Sequence, residues 1–255
     1  MEDLIIKFMK PFKRYIKLIL PRWAWMSCSR RLIQRRKKRD AHRPVKDVFT
    51  DIYKQNLWGD IPKQYSSGSG STDPSVSVYA EAIKRFISTK QITKVVDLGC
   101  GDFKVGSQIH FPGTKYIGVD IVQELVDYND ELFGNDNISF FCMDIIRDNL
   151  PNAELCLIRQ VLQHLSNQEI SQILRNIIKY KYVIVTEHYP PSYLHIIPNK
   201  EKPHGLGIRI ENDSAVYLDQ LPFNVKISEV LLDMEISEYT RYKGERLITF
   251  LIQHE

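Results

Sequence analysis

Lys94-Val95-Val96-Asp97-Leu98-Gly99-Cys100-Gly101-Asp102-Phe103 is a short apolar run broken by two glycines. Lys94 to Leu98 carries two adjacent valines and reads as a buried β-strand. Gly99 and Gly101 then allow positive φ and a close approach of backbone to ligand. A strand, a glycine turn and a helix together hold nucleotide-like ligands at the carboxyl edge of parallel sheets. A phosphate loop, G-x-x-x-x-G-K-[ST], is absent here. The dinucleotide fingerprint G-x-G-x-x-G fails at its third glycine, where this chain has Lys104.

Working outward, the chain alternates strand and helix. Strands are expected at Lys94–Leu98, Lys115–Asp120, Ile138–Asp144, Leu155–Gln160 and Tyr182–Glu187. Helical spacing covers Val76–Thr89, Val122–Leu132 and Gln168–Tyr180. Two late strands, Ile227–Met234 and Leu247–Gln253, are close enough for an antiparallel hairpin. This pattern predicts an α/β fold, a mostly parallel sheet with helices on both faces and one reversed edge strand.

The length of 255 residues suits one domain with appendages, and 43% hydrophobic residues exclude wholesale disorder. Cys28, Cys100, Cys142 and Cys156 are far apart with no CxxC pair, which argues against a zinc site or a disulfide framework. Reduced, buried thiols point to the cytoplasm. The net charge of +4 conceals an asymmetry. Residues 1–46 hold 15 Lys/Arg against three acidic residues, +12, and the remainder holds 20 against 28, −8.

In residues 1–20, Lys7, Lys10, Lys13, Arg14 and Lys17 share one side of a helical wheel opposite Ile5, Phe8, Phe12, Ile16 and Ile19. Trp23, Trp25 and an arginine-rich run follow. No run approaches the roughly 18 apolar residues of a membrane span. Lysines interrupt the apolar part, against a secretory signal. Peripheral contact with the inner face of the cell membrane fits this basic amphipathic arm best. Binding to nucleic acid fits its arginines but not its greasy face, and packing on the body is the third option.

Asp97-Leu98-Gly99-Cys100-Gly101-Asp102 closely resembles the first motif of class I S-adenosylmethionine (SAM)-dependent methyltransferases. It departs at Phe103, where many members carry a third glycine. The resemblance spans about residues 48–255 and implies a Rossmann-like seven-stranded sheet with a C-terminal hairpin. It implies SAM as cofactor, touching Asp97, Gly99 and Gly101, with Asp120 and Ile121 at the ribose and Asp144 and Ile145 at the adenine. A carboxylate suits Asp120, 23 residues after Asp97, because it accepts both ribose hydroxyls. Residues 52–71, with Ser67-Gly68-Ser69-Gly70-Ser71, resemble a segment of bacterial methyltransferases from surface-polysaccharide clusters, where a flexible Gly/Ser loop closes over the cofactor.

Arg159-Gln160-Val161-Leu162-Gln163-His164-Leu165 resembles the segment that small-molecule methyltransferases set beside the methyl group, which makes Arg159 a cofactor contact. The chain lacks the Asn/Asp-Pro-Pro-Tyr type sequence of amino-methylating nucleic-acid enzymes. An alcohol acceptor needs a base, and His164 and His188 are the catalytic candidates. No ligand spacing favours a metal. Residues 190–224, with five prolines, read as a lid, in which His204, Arg209 and Asp213 are candidate substrate contacts. The expected organisation is therefore an arm (1–46), a capping segment (47–92) and a SAM domain (93–255). The expected activity is O-methylation of a small-molecule or glycan acceptor, a sugar or phosphate oxygen of a polysaccharide precursor. An RNA methyltransferase tethered by the arm and a non-catalytic adaptor are the alternatives.

Overall fold

A computed structural model of the chain describes residues 38–59, 65–109, 112–236 and 240–254. The basic helix expected over residues 1–20 lies outside them, as does most of the arm. Among the described residues no helix is long and apolar enough to cross a membrane.

Seven strands form one sheet: β1 (Lys94–Leu98), β2 (Lys115–Asp120), β3 (Ile138–Cys142), β4 (Leu155–Arg159), β5 (Tyr182–Tyr189), β6 (Glu229–Glu235) and β7 (Arg246–Gln253). Their order is β3-β2-β1-β4-β5-β7-β6. The first five run parallel, and β7 runs antiparallel to both β5 and β6. This is the Rossmann-like methyltransferase arrangement that the motif implies. The reversed strand is not at the edge, however: β7 lies inside and β6 forms the edge. The side chains explain the choice. β7 buries Leu247, Leu251 and Ile252, whereas β6 is mostly exposed and is bulged between Val230 and Leu232. An exposed, bulged strand suits a sheet edge.

The period of two along each strand sorts side chains between two cores. Val96, Leu98, Val119, Ile158, Val183 and Val185 meet α5 (Asn167–Asn176) through Ile170 and Ile173. Val95, Tyr116, Phe140, Leu157 and Ile184 face the opposite way, towards Tyr79, Ile83 and Ile87 of α2 (Ser75–Lys90) and Val126 of α4 (Gln123–Phe133). Helices on both faces follow from this division. α5 starts at a capping box, in which the Ser166 hydroxyl accepts from Glu169 N and the Glu169 carboxylate accepts from Ser166 N. α1 (Val45–Lys54) lies at the carboxyl ends of the strands, and a four-residue α3 (Gly106–Ile109) follows the glycine turn.

Chain order reverses between β1 and β4, the switch point at which open α/β sheets bind ligands. The candidate site lies there.

Ile173 is fully buried between α5 and the sheet. Ile173→Ala is expected to cost roughly 2–5 kcal/mol in urea unfolding. A loss below about 1 kcal/mol would mean that α5 does not anchor this face.

Candidate active site

Asp120 ends β2, and both of its oxygens hold backbone. Oδ2 accepts from Gly101 N and Oδ1 from Val122 N, each at 3.1 Å. The glycine turn is thereby tied to the end of the next strand. Asn129 of α4 fixes the same turn by donating Nδ2–H to the Gly101 carbonyl at 2.7 Å. Gly99 and Gly101 both take positive φ, +78° and +58°. A Cβ on Gly101 would lie 2.2 Å from Ser67 Oγ, so glycine is required there by conformation and by contact. Phe103, which replaces the third glycine, also adopts a left-handed φ of 59°. Its ring is buried 4.9–5.2 Å from those of Tyr116, Phe133 and Phe140, which offsets strain on the order of 1–2 kcal/mol.

One cavity of about 240 Å³ opens above this turn. All ten residues expected to bind cofactor or act in catalysis line it: Asp97, Gly99, Gly101, Asp120, Ile121, Asp144, Ile145, Arg159, His164 and His188. Burial pushes the carboxyls of Asp97 and Asp120 up to about 6 each. The Tyr116 hydroxyl donates to Asp97 and, with Arg159 nearby, counters the rise there. Asp144 lies past its strand, not on it, because β3 stops at Cys142. Asp144 Oδ1 accepts from Ile146 N at 2.9 Å and starts a helical turn.

The Gly/Ser segment is held, not loose. Ser69–Ser71 form a 3-10 turn, and Arg159 Nη2 donates to the Gly70 carbonyl at 3.0 Å. Ser67 Oγ accepts from Asp102 N at 2.8 Å and lies 3.1 Å from the Tyr53 hydroxyl. These bonds couple the covering segment to the glycine turn. Phe49 of α1, with Tyr53 and Trp58, makes an aromatic wall that meets His164, whose ring is 5.1 Å from that of Trp58 and 6.4 Å from that of Phe49.

A cofactor of the adenosyl class fits these residues. Carboxylates end two neighbouring strands, and a cation, Arg159, lines the cavity with its Nε buried and unpartnered among the described residues. A Cβ on Gly68, at φ +93°, would meet nothing closer than Trp58 at 3.9 Å, so the glycine leaves room on the cavity wall.

The three expected substrate contacts fall outside the cavity. Arg209 is buried and donates to the carbonyls of Lys200 and Leu165 and to Asn167 Oδ1 at 2.7–2.8 Å. It ties residues 190–224 to the start of α5 and has no access to a ligand. His204 Nδ1 lies 2.7 Å from Glu169 Oε1 and Nε2 lies 3.1 Å from the Arg43 carbonyl. Both partners are acceptors, so the ring carries two protons, and the Glu169 hydrogen bond raises its pKa. It clamps the segment before α1 to the body. Asp213 is exposed and also outside. From residues 190–224 only Ile208 reaches the cavity wall.

Glu245 carries no ligand motif, and the sequence reading gave it no role. Glu245 is the last residue of what reads as a hairpin turn. Its importance comes from a partner on β5, a pairing that local spacing does not reveal. Glu187 is fully buried, and Oε1 accepts from Leu162 N at 2.9 Å. It thereby anchors the turn that carries His164. Burial pushes Glu187 up to about 8, against the pull of Arg209 and Arg159.

The sign of the resulting pH dependence follows. A carboxyl raised from 4.5 to about 8 favours the folded state fully below 4.5, and that contribution is lost as pH rises through about 8. Glu187→Gln keeps an acceptor for Leu162 N and has no charge to bury. Its melting temperature should therefore fall less than that of wild type between pH 5 and about 9. Equal slopes in thermal melts would show that Glu187 does not titrate in this range.

The chain matches the family described as O-methyltransferase domain over residues 55–182. Strychnine O-methyltransferase of Strychnos nux-vomica is 28% identical over 148 residues, 57% of this chain and 34% of that one. The chain thus matches about a third of the length of this curated relative. Among solved structures, human N-acetylserotonin methyltransferase in complex with SAM has a TM-score of 0.52 at 16% identity, covering 83% of this chain and 60% of the other. N-methyltransferase NodS of Bradyrhizobium japonicum in complex with S-adenosylhomocysteine has a TM-score of 0.56 at 10% identity, covering 81% and 99%. These structural likenesses establish a shared fold. The family match covers half of the chain and the whole glycine turn: this protein belongs to the O-methyltransferase domain family.

Proposed function

We propose that this protein is a SAM-dependent O-methyltransferase acting on a hydroxyl of a small, ring-shaped acceptor. The observation that carries the reading is a single cavity lined together by the glycine turn, Asp97, Asp120, Asp144 and Arg159. SAM supplies an electrophilic methyl carbon on a sulfonium. Asp120 has a lone pair left on each oxygen for the ribose hydroxyls. Ile121 and Ile145 offer apolar surface to the adenine, and Asp144 an acceptor for its amino group. Arg159, with its unpartnered Nε, receives the carboxylate of the methionine end.

Family membership supports oxygen as the acceptor atom. The wall of Phe49, Tyr53 and Trp58 supports a ring that stacks. The sugar of a polysaccharide precursor, implied by the sequence resemblance, presents one apolar face to such a wall, and a phenolic ring presents two. Residues 47–92 act as the cap of the cofactor site. The basic arm, residues 1–46, holds the enzyme against an anionic membrane surface.

The test is transfer of labelled methyl from SAM to a panel of phenols, catechol, hexoses and hexose phosphates. Label on a hydroxyl oxygen is the expected result. Gly101→Ala, which drives a Cβ against Ser67, should lose about tenfold or more of the rate. Label found only on nitrogen or carbon, or a folded wild type that does not bind SAM, would overturn the reading.

A further inference from the structure

One cation lines the cavity without an acid of its own. Arg159, the last residue of β4, is the one Arg or Lys among the described residues of the cavity wall. The acids whose charge bears on it hold other groups: Asp97 accepts from the Tyr116 hydroxyl and Glu187 from Leu162 N. His188, on the same wall, is placed differently, with its Nε2 2.9 Å from Glu245 Oε2. A half-buried guanidinium without a paired acid favours an anionic ligand.

Two contacts fix how that guanidinium is presented. At its edge, Nη2 donates to the Gly70 carbonyl at 3.0 Å. On its face lies Tyr79, whose ring centroid is 5.2 Å from Arg159 Cζ. Tyr79 belongs to α2, is 1% exposed and sits in the core with Ile83 and Leu157. Its hydroxyl end meets Thr186 of β5, whose own hydroxyl is 2.9 Å from that of Thr249 on β7. The sheet therefore sets the plane of the ring. The N–H groups of a guanidinium all lie in its plane, so a partner on the face uses none of them. The π face attracts the cation and leaves Nε, buried and unpartnered, for a ligand.

We propose that Tyr79 is a positioning residue for the cofactor: its ring orients Arg159 to receive the amino-acid carboxylate, and so sets the preference for a nucleoside that carries one. The inference rests on the SAM reading above. A charge-assisted bond from Nε to that carboxylate gives Arg159 the anion that no residue of the wall supplies. The same side chain holds Gly70, so the covering segment and the amino-acid end of the cofactor are fixed through one cation. An adenosine without the carboxylate leaves Arg159 unpaired and draws nothing from the stacked ring.

Titration calorimetry on the full chain tests it with two probes, S-adenosylhomocysteine and methylthioadenosine, which share the adenosine and differ in the amino-acid end. Wild type should bind S-adenosylhomocysteine about tenfold or more tightly than methylthioadenosine. Tyr79→Leu should weaken S-adenosylhomocysteine about tenfold and methylthioadenosine less than about threefold. Tyr79→Phe, which keeps the ring, should hold S-adenosylhomocysteine to within about threefold of wild type. Tyr79→pentafluorophenylalanine keeps the shape and removes the negative π face. It should match the expectation for Tyr79→Leu, and it decides the matter where the leucine variant does not fold. In an Arg159→Gln background, Tyr79→Leu should change neither affinity by more than about threefold. Equal weakening of both probes by Tyr79→Leu would show a ring that only supports the fold and would overturn the proposal. So would a pentafluoro variant that binds as Tyr79→Phe does, or a wild type that binds both probes equally. A wild type that binds neither probe removes the SAM reading itself, and the proposal with it.

Discussion

A buried carboxylate with backbone donors on both oxygens sets the geometry of the site. Asp120 must leave water at the end of β2, and burial opposes its charge. The N–H groups of Gly101 and Val122 repay part of that cost and at the same time fix the path of the glycine turn. The turn cannot move without unpairing a buried carboxylate, which costs several times what an ordinary hydrogen bond contributes. Asp97 is held on the neighbouring strand by Tyr116, so two acidic groups face the switch point of the sheet at a fixed separation. The sheet supplies rigidity, and the carboxylates supply the polarity that a hydroxylated ligand reads.

The covering segment extends this logic. Ser67, Tyr53 and Asp102 stitch residues before α2 onto the turn, while Arg159 reaches up to the Gly70 carbonyl. On the far side, His204 joins residue 43 to the capping box of α5. Each bond spans more than 30 residues of chain, apart from that between Tyr53 and Ser67. The aromatic wall of Phe49, Tyr53 and Trp58 is therefore carried by a part of the chain outside the sheet and placed by side-chain hydrogen bonds. In the proposed reading, acceptor selection and cofactor binding rest on different layers of the same cavity.

The strands were legible because buried parallel strands are continuous apolar runs, and six of the seven were read with at least one boundary in place. The cavity residues on the strand ends were legible for the same reason: Asp97, Asp120 and Arg159 take their positions from the runs that precede them. Where the signal was tertiary, reading along the chain failed. The hairpin was evident, but its side-chain burial, not its spacing, puts β7 inside the sheet. Arg209 and His204 read as ligand contacts because charged residues in a long irregular segment usually face water or ligand. Here they satisfy carbonyls that the irregular backbone leaves unpaired. Glu245 was invisible because its partner lies 57 residues earlier, across a strand pair.

Calorimetric titration with S-adenosylhomocysteine, comparing wild type with Asp120→Ala, tests the account most directly. It predicts micromolar binding by wild type, on the order of 8 kcal/mol, weakened at least tenfold in the variant while the protein remains folded. Binding of equal strength in both proteins would contradict the central role given to Asp120, and no binding by either would contradict the cofactor site itself.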